Sequence, residues 1–431
     1  MRSSIRSLSR ALFLLLLCGC GRSVEFEEAD LVIRHINVVD VVSGTLLADQ
    51  VIVTNEGRFA YVDKDPGNVE VPNGTTVIDG TGRYAIPGLW DMHVHVCWSD
   101  TNASLLLPAL LAHGITGVRD MGGDLHLLNA FKQRVLAEPS AGPDLFGCGP
   151  IIDGDPPVFP DFTLPVNSAT DLPNVLDSLS ANGADFFKVY SLLAPEELER
   201  IASYSKEHDR VFAGHLSEYV EPERAIALGQ RSIEHLNRLD EVWMEDRYRL
   251  DAIASAMVEH GTWSCPTLIA YQRKSHLYDP ALRDTVMDAL VPGLQAEWEQ
   301  AVRKRTERYG APHQRDSLEK RYQQQLALVE HLKERGVRLL AGSDLAGMAF
   351  VYPGSGLLEE LELLVSAGLS NAEALRSATL SPAEYFGAQA ELGSIATGKV
   401  ADLVVLEGNP LAEIRKTRTV VHVVHRGVLV R

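Results

Sequence analysis

The chain has 431 residues, of which 45% are hydrophobic and 23% charged, a globular composition that excludes a miniprotein and extensive disorder. Lys and Arg number 40 against 58 for Asp and Glu, a net charge of −18. A surface that acidic repels phosphate backbones, which excludes nucleic acid as a partner and leaves a small-molecule substrate as the expectation. The length suits one large barrel with an accessory domain, or two domains.

The chain opens with Arg2, Arg6 and Arg10 ahead of the apolar run 11–17, long enough for the core of an export signal and too short to span a bilayer as a helix. The run ends in Leu17-Cys18-Gly19-Cys20, which resembles a bacterial lipobox. Residues 1–19 are therefore expected to be a signal peptide, with Cys20 the lipidated first residue of a cell-envelope protein on the periplasmic side of a membrane. An ordinary secretory signal cut nearby is the alternative. The remaining cysteines, Cys97, Cys148 and Cys265, are odd in number and widely spaced, which does not make a disulfide framework. The membrane contact expected is through the lipid anchor alone, and association into a homo-oligomer is left open.

Residues 31–63 carry short β-rich runs split by Ser-Gly, Asn-Glu-Gly and Asp-Pro-Gly turn signals, and the same texture returns in 401–406 and 420–430. The two ends, 30–83 and 391–431, are expected to build one discontinuous β-sandwich. Between them, residues 84–390 alternate apolar runs with helical stretches. Eight strand candidates end near His93/His95, Asp120, Gly147, Lys188, His215, His235, Pro266 and Asp344. That count predicts an α/β (β/α)8 TIM barrel, whose chemistry sits at the C-terminal ends of its strands. A charged insertion, 271–335, repeats Leu318, Tyr322, Leu326, Val329 and Leu332 at helical spacing. It is expected to be helical, to bury one face on the barrel and to roof the site.

His93 and His95 stand two apart in an apolar strand, so both imidazoles point to one side. Alone, such a pair is weak evidence in a chain with 14 histidines. Lys188, His215, His235 and Asp344 also interrupt apolar segments at strand ends, where an uncompensated polar group is costly. In a barrel these side chains converge, and four imidazoles with a carboxylate suit divalent metal. Lys188 as an ammonium has the wrong sign to bridge two ions. As a carbamate it would be a bridging carboxylate, a step that spacing does not reveal.

At this point the sequence resembles the amidohydrolase superfamily, in particular its imidazolonepropionase-like and prolidase-like metal-dependent branch. The resemblance rests on IPGLWDMHVH (86–95), GITGVRDMGG (114–123), FFKVY (186–190), GHL (214–216), SIEHL (232–236), AGSD (341–344), ELELLVSAGLS (360–370) and GSIATGKVADLVVLEGNPL (393–411). It implies two divalent ions, zinc by preference, with His93, His95 and Asp344 on the more buried one, His215 and His235 on the other, and carbamylated Lys188 between them. It further implies a hydroxide shared by the ions as nucleophile and Asp344 as acid/base. A mononuclear centre with a plain lysine is the competing state.

Tyr190 should face the same mouth and contact substrate. Arg119, Asp120, His126, Asn237, Arg238 and Tyr352 follow strand ends and are further candidates, whereas Cys97 reads as a buried thiol. One departure is the stretch Gly356-Leu357-Leu358, where relatives often carry Ser-Leu-His, so a polar group near the last strand is missing. The function expected is hydrolysis of an amide bond, in a dipeptide or an N-acyl amino acid. Lactones, cyclic amides or phosphotriesters are alternatives on the same centre. A surface metal- or ligand-binding lipoprotein without catalysis is the alternative of a different class.

Overall fold

The computed structural model describes residues 22–309 and 311–431, so the signal segment and Cys20 lie outside the described residues. Two groups of strands organise the chain. In the middle, Leu89–Val94, Ile115–Asp120 and Asp144–Gly147 pair in parallel. A second parallel sheet runs Thr163–Val166, Ile151–Gly154, Phe187–Val189, Phe212–Gly214, Ser232–Glu234, Trp263–Cys265. Backbone hydrogen bonds carry the order onward from Ser264 to Arg338 and Leu340, then from Ala341 and Leu345 to Met92 and His95. On the other side the amide of Asp185 bonds the carbonyl of Gly147. The sheet therefore curls, and the C-terminal ends of its strands face one another.

Helices alternate with these strands because each has an apolar face and a start signal. Asp100–Ala112 begins at Ser99, whose hydroxyl accepts the amide of Asn102, and buries Leu106, Leu107, Leu110 and Leu111. Each buried leucine contributes about 1.5–3 kcal/mol of transfer free energy. Leu125–Ala137 starts at Asp124 in the same way, and the proline of Pro195–Glu207 occupies the first turn, where it costs no hydrogen bond.

Residues 271–335 are helix-rich, with Gln295–Tyr309 and Pro312–Glu334 as the long elements, and the latter buries Tyr322, Val329 and Leu332. Among the described residues no helix is long and apolar enough to cross a membrane.

The chain ends share a sheet of eight strands. Leu403–Leu406 pairs antiparallel with Tyr84–Pro87 and with Val420–His425, and Leu31–Asp40 continues the sheet toward Thr45–Asn55 and Arg58–Lys64. Alternation puts Ile33, Ile52, Leu403 and Val405 in one apolar cluster and Val32, Val51 and Val53 in another, on the opposite face.

Two details depart from the sequence-based expectation. The eighth strand survives only as isolated bridges at Leu339 and Leu345. Asp344, with φ of 61°, turns the backbone out of the extended ladder. Conversely, Ile151–Gly154 and Thr163–Val166 form strands that are not among the eight candidates.

Candidate metal centre

His93 lies inside the strand Leu89–Val94, and His95, His215 and His235 each follow directly on the last residue of a strand. Their rings form a connected row, with centroids 5.3 Å apart for His95 and His93, 4.6 Å for His93 and His235, and 4.8 Å for His235 and His215. Asp344 Oδ1 is 3.7 Å from Nε2 of His93 and 3.6 Å from Nε2 of His95. Ligand atoms of His93, His235 and Asp344 all fall within 4.8 Å of one another. The structure thus brings together the four histidines, Asp344 and Lys188, all of them buried.

Every imidazole is held from behind by its Nδ1. The partners are Glu234 Oε2 for His93 at 2.8 Å, the Gly122 carbonyl for His95 at 3.1 Å, Ser191 Oγ for His215 at 3.1 Å and Thr267 Oγ1 for His235 at 2.6 Å. A carbonyl and a carboxylate accept, so Nδ1 of His95 and His93 donates and Nε2 keeps its lone pair. His93 Nε2 and Lys188 Nζ are buried without a hydrogen-bond partner among the described residues. Orphaned buried atoms are costly unless something occupies the space beside them. This donor set fits divalent metal.

The electrostatics agree. Burial, and next the charge of Lys188, hold His93 and His215 well below the ordinary imidazole range and His95 at about 3. Burial also depresses His235 strongly, so all four rings are neutral, as metal ligation requires. Burial lowers the Lys188 ammonium toward the neutral amine. Asp344 is pushed up to about 6 by burial, against the pull of Lys274 and Lys188. His235 and Asp344 both adopt left-handed backbone, with φ of 63° and 61°, a conformation that costs free energy in a non-glycine residue and clusters at functional sites. Gly347 approaches so closely that a Cβ there would lie 2.5 Å from Asp344 Oδ1.

A second set, His93, Glu234 and Cys265, is equally compact. Its carboxylate is already committed to Arg119 at 2.7 Å and to Ser232 Oγ at 2.5 Å, so it supports the His93 imidazole from behind.

Tyr190 packs tilted against His215, ring centroids 4.0 Å apart, and its ring lies 5.8 Å from Lys188 Nζ. Burial raises its hydroxyl to about 12, so it stays a donor. At the other end of the row Trp98 stacks on His95 at 5.1 Å, with Phe159 and Phe162 behind it at 5.8 and 6.0 Å. They make an aromatic wall that sequence reading missed.

The other substrate-contact candidates are engaged elsewhere. Arg119 is fully buried on the Met92 carbonyl, Ser232 and Glu234. Asp120 caps the amides of Val96 and Cys97. Arg238 holds the carbonyls of Ser217 and Val220, and Asn237 accepts from Tyr271. Tyr352 donates to Asp288. His126 is exposed and lines a cavity of about 350 Å³ with Asp124, Pro150 and Phe162, the last of which also stands behind Trp98. Cys97 is a buried free thiol, and Leu357 and Leu358 pack into the core. A groove of about 550 Å³ between Leu172–Ala181 and Pro195–Glu207 lies on the outer helices, away from the histidines.

Glu234, Ser191 and Thr267 are the functional residues that sequence reading passed over. An acid inside the apolar strand Ser232–Glu234 was the available signal for the first of them.

Comparison with known proteins places this geometry. The profile described as "Amidohydrolase family" matches residues 84–430. An adenine deaminase of Rubrobacter xylanophilus is 25% identical over 405 residues, covering 91% of this chain and 56% of that protein. The chain therefore spans about half the length of that relative. A prolidase solved with N-methylphosphonate-L-proline superposes with a TM-score of 0.73 at 25% identity, covering 93% of this chain and 99% of the other. A Xaa-Pro dipeptidase with bound methionine superposes with a TM-score of 0.72 at 22% identity, again over 93% and 99%.

Proposed function

Because the chain belongs to the amidohydrolase family, matched over residues 84–430, we propose that it is a metal-dependent hydrolase that cleaves an amide C–N bond in a dipeptide or an N-acyl amino acid. The observation that carries this reading is the row of imidazoles whose Nδ1 atoms are all engaged from behind while Nε2 of His93 and His95 approaches Asp344. The names of similar proteins support the bond type, since a deaminase and a dipeptidase both part carbon from nitrogen.

In this reading the frame is a (β/α)8 barrel over 84–390 with a β-sandwich from 30–83 and 391–431. His93, His95 and Asp344 would hold one divalent ion and His215 and His235 another, zinc being the ion that suits imidazole-rich sets. Such ions supply Lewis acidity toward a carbonyl and lower the pKa of water. Lys188, once its neutral amine has added to carbon dioxide and lost a proton, is a carbamate able to bridge them. Asp344 takes the proton of the attacking water and delivers it to the leaving nitrogen. Tyr190 donates to the substrate from the His215 side, and the wall of Trp98, Phe159 and Phe162 accepts an apolar group next to His95.

The test is metal content per chain, followed by turnover of a panel of dipeptides and N-acyl amino acids with lactones, phosphotriesters and adenine alongside. Bound metal with amide turnover is expected. A chain that binds no metal, or whose turnover is confined to the comparison compounds, overturns the reading. We also propose export and anchoring through lipid on Cys20. Cys20→Ser should move the protein out of the membrane fraction, and unchanged fractionation removes the anchor.

A further inference from the structure

The strand Ile151–Gly154 carries Asp153, whose side chain is fully buried. Its two oxygens serve two different loops. Oδ2 accepts the amide of Val158 at 2.9 Å and Oδ1 the amide of Leu192 at 2.6 Å. Val158 precedes Phe159, which stands behind Trp98 and so belongs to the wall beside His95. Leu192 follows Ser191, whose hydroxyl is 3.1 Å from Nδ1 of His215. One carboxylate therefore ties together the loops at the two ends of the imidazole row. The strand end is pressed close to the second loop, since a Cβ on Gly154 would lie 2.1 Å from the Leu192 carbonyl oxygen.

The wall-bearing segment, residues 155–162, depends on this tie. Pro156, Pro157 and Pro160 have no amide hydrogen to give. Among the described residues, the bond from Val158 to Asp153 is the one hydrogen bond that a backbone amide of the segment donates. Two further bonds pin its ends, where Asp155 accepts the side-chain amide of Asn167 at 3.0 Å and the Phe162 carbonyl accepts the amide of Ile151 at 2.8 Å. The Val158 side chain is exposed and adds little packing. In the middle of the segment, then, the backbone beside Phe159 is fixed by Asp153, and a buried acceptor that loses such a donor carries the full cost of its desolvation.

We infer that Asp153 is a positioning residue for the wall, setting how strongly the centre prefers a bulky apolar acyl group over a small one without itself touching the substrate. The inference rests on the amide-hydrolase reading for what the wall meets, while the tie itself rests on Asp153, Val158 and Leu192. With the Val158 amide released, Phe159 is no longer held against Trp98, and the apolar surface offered to the acyl group shrinks.

The experiment uses the metal-loaded full chain and two ligands in which CH2 replaces the scissile NH, 4-oxo-4-phenylbutanoate and 4-oxopentanoate. They differ only in a phenyl against a methyl group. The wild type should bind the phenyl ketone at least about 10-fold more tightly, a difference of about 1.4 kcal/mol. Asp153→Asn, which turns one acceptor into a donor, and Phe159→Ala should each lose most of that preference, while affinity for 4-oxopentanoate and metal content stay at wild-type levels. The double variant should lose no more than the worse single one, because both residues act through the same surface. Val158→Pro deletes the donated amide from the exposed side and should reproduce the loss, and it decides the matter where Asp153→Asn does not fold. Equal affinities in the wild type, no binding of either ligand, a preference that survives in folded Asp153→Asn or Val158→Pro, equal weakening of both ligands, or losses that add in the double variant would each overturn the inference. N-benzoylglycine and N-acetylglycine, the matching amides, report turnover. Absence of their hydrolysis with the binding results as expected counts against the amide-hydrolase reading and leaves Asp153 in its positioning role.

Discussion

Glu234 accepts Nδ1–H of His93 with one oxygen at 2.8 Å and takes the Arg119 guanidinium with the other at 2.7 Å. Two strands of the parallel sheet thereby position a single imidazole, and the carboxylate needs both of its oxygens as acceptors. Glu234→Gln keeps the shape but replaces one acceptor by a donor, which must then face either His93 or Arg119. Metal affinity should fall by about 10- to 100-fold, the usual consequence of losing a partner behind a ligand. Leaving the buried guanidinium uncompensated should also cost about 3–5 kcal/mol of stability. Metal retention against a chelator, read beside a denaturant titration, checks both, and unaltered retention would remove Glu234 from its positioning role.

Lys188 is buried, has no hydrogen-bond partner among the described residues, and is pushed toward the neutral amine by burial. Lys188→Ala should lose most bound metal, chiefly from the His215/His235 side, and nearly all activity. Added formate, acetate or propionate should recover part of both by standing in for the carbamate. A Lys188→Ala protein that holds two metals per chain with wild-type turnover would eliminate the bridging role.

Asp344→Asn preserves volume and removes the base. General acid/base assistance is worth about 10²–10⁴ in rate, so kcat should drop by that order while the thermal midpoint stays within a few degrees. The measurement is single-turnover hydrolysis by protein whose metal content has been verified. Near-normal rates would take Asp344 out of proton transfer.

His425 lies buried with Nδ1 2.9 Å from Asp402 and Nε2 3.8 Å from Asp144, the first residue of the parallel strand Asp144–Gly147. Burial pulls its pKa down, yet the two carboxylates outweigh burial and raise it above the ordinary value. A raised folded value means that the stabilisation is complete below the unfolded pKa of about 6.5 and is lost as pH climbs through the folded one. Glu360, raised to about 8 by burial, titrates in the same window with the same sign, so wild type must be compared with a variant. Between about pH 6 and pH 9 the unfolding free energy of wild type should fall more steeply than that of His425→Asn. Parallel curves would show that this cluster does not link the terminal sheet to the parallel strands through protonation.

The sequence by itself was enough to pick out His93, His95, Lys188, His215, His235 and Asp344, because a polar residue inside an apolar strand advertises its own cost. The alternation of apolar runs and helical stretches in the middle of the chain was equally legible, since it is a property of neighbours along the chain. Tertiary structure alone decided what stands behind each imidazole. Glu234 and His93 are 141 residues apart, Thr267 and His235 32 apart, and Ser191 and His215 24 apart, and no local pattern encodes a hydrogen bond across strands. It also decided the fate of Arg119, Asp120, Arg238 and Tyr352. Their place near a strand end was readable, but whether the side chain turns to the centre or satisfies backbone and carboxylates in the layer beneath depends on what the neighbouring strands offer.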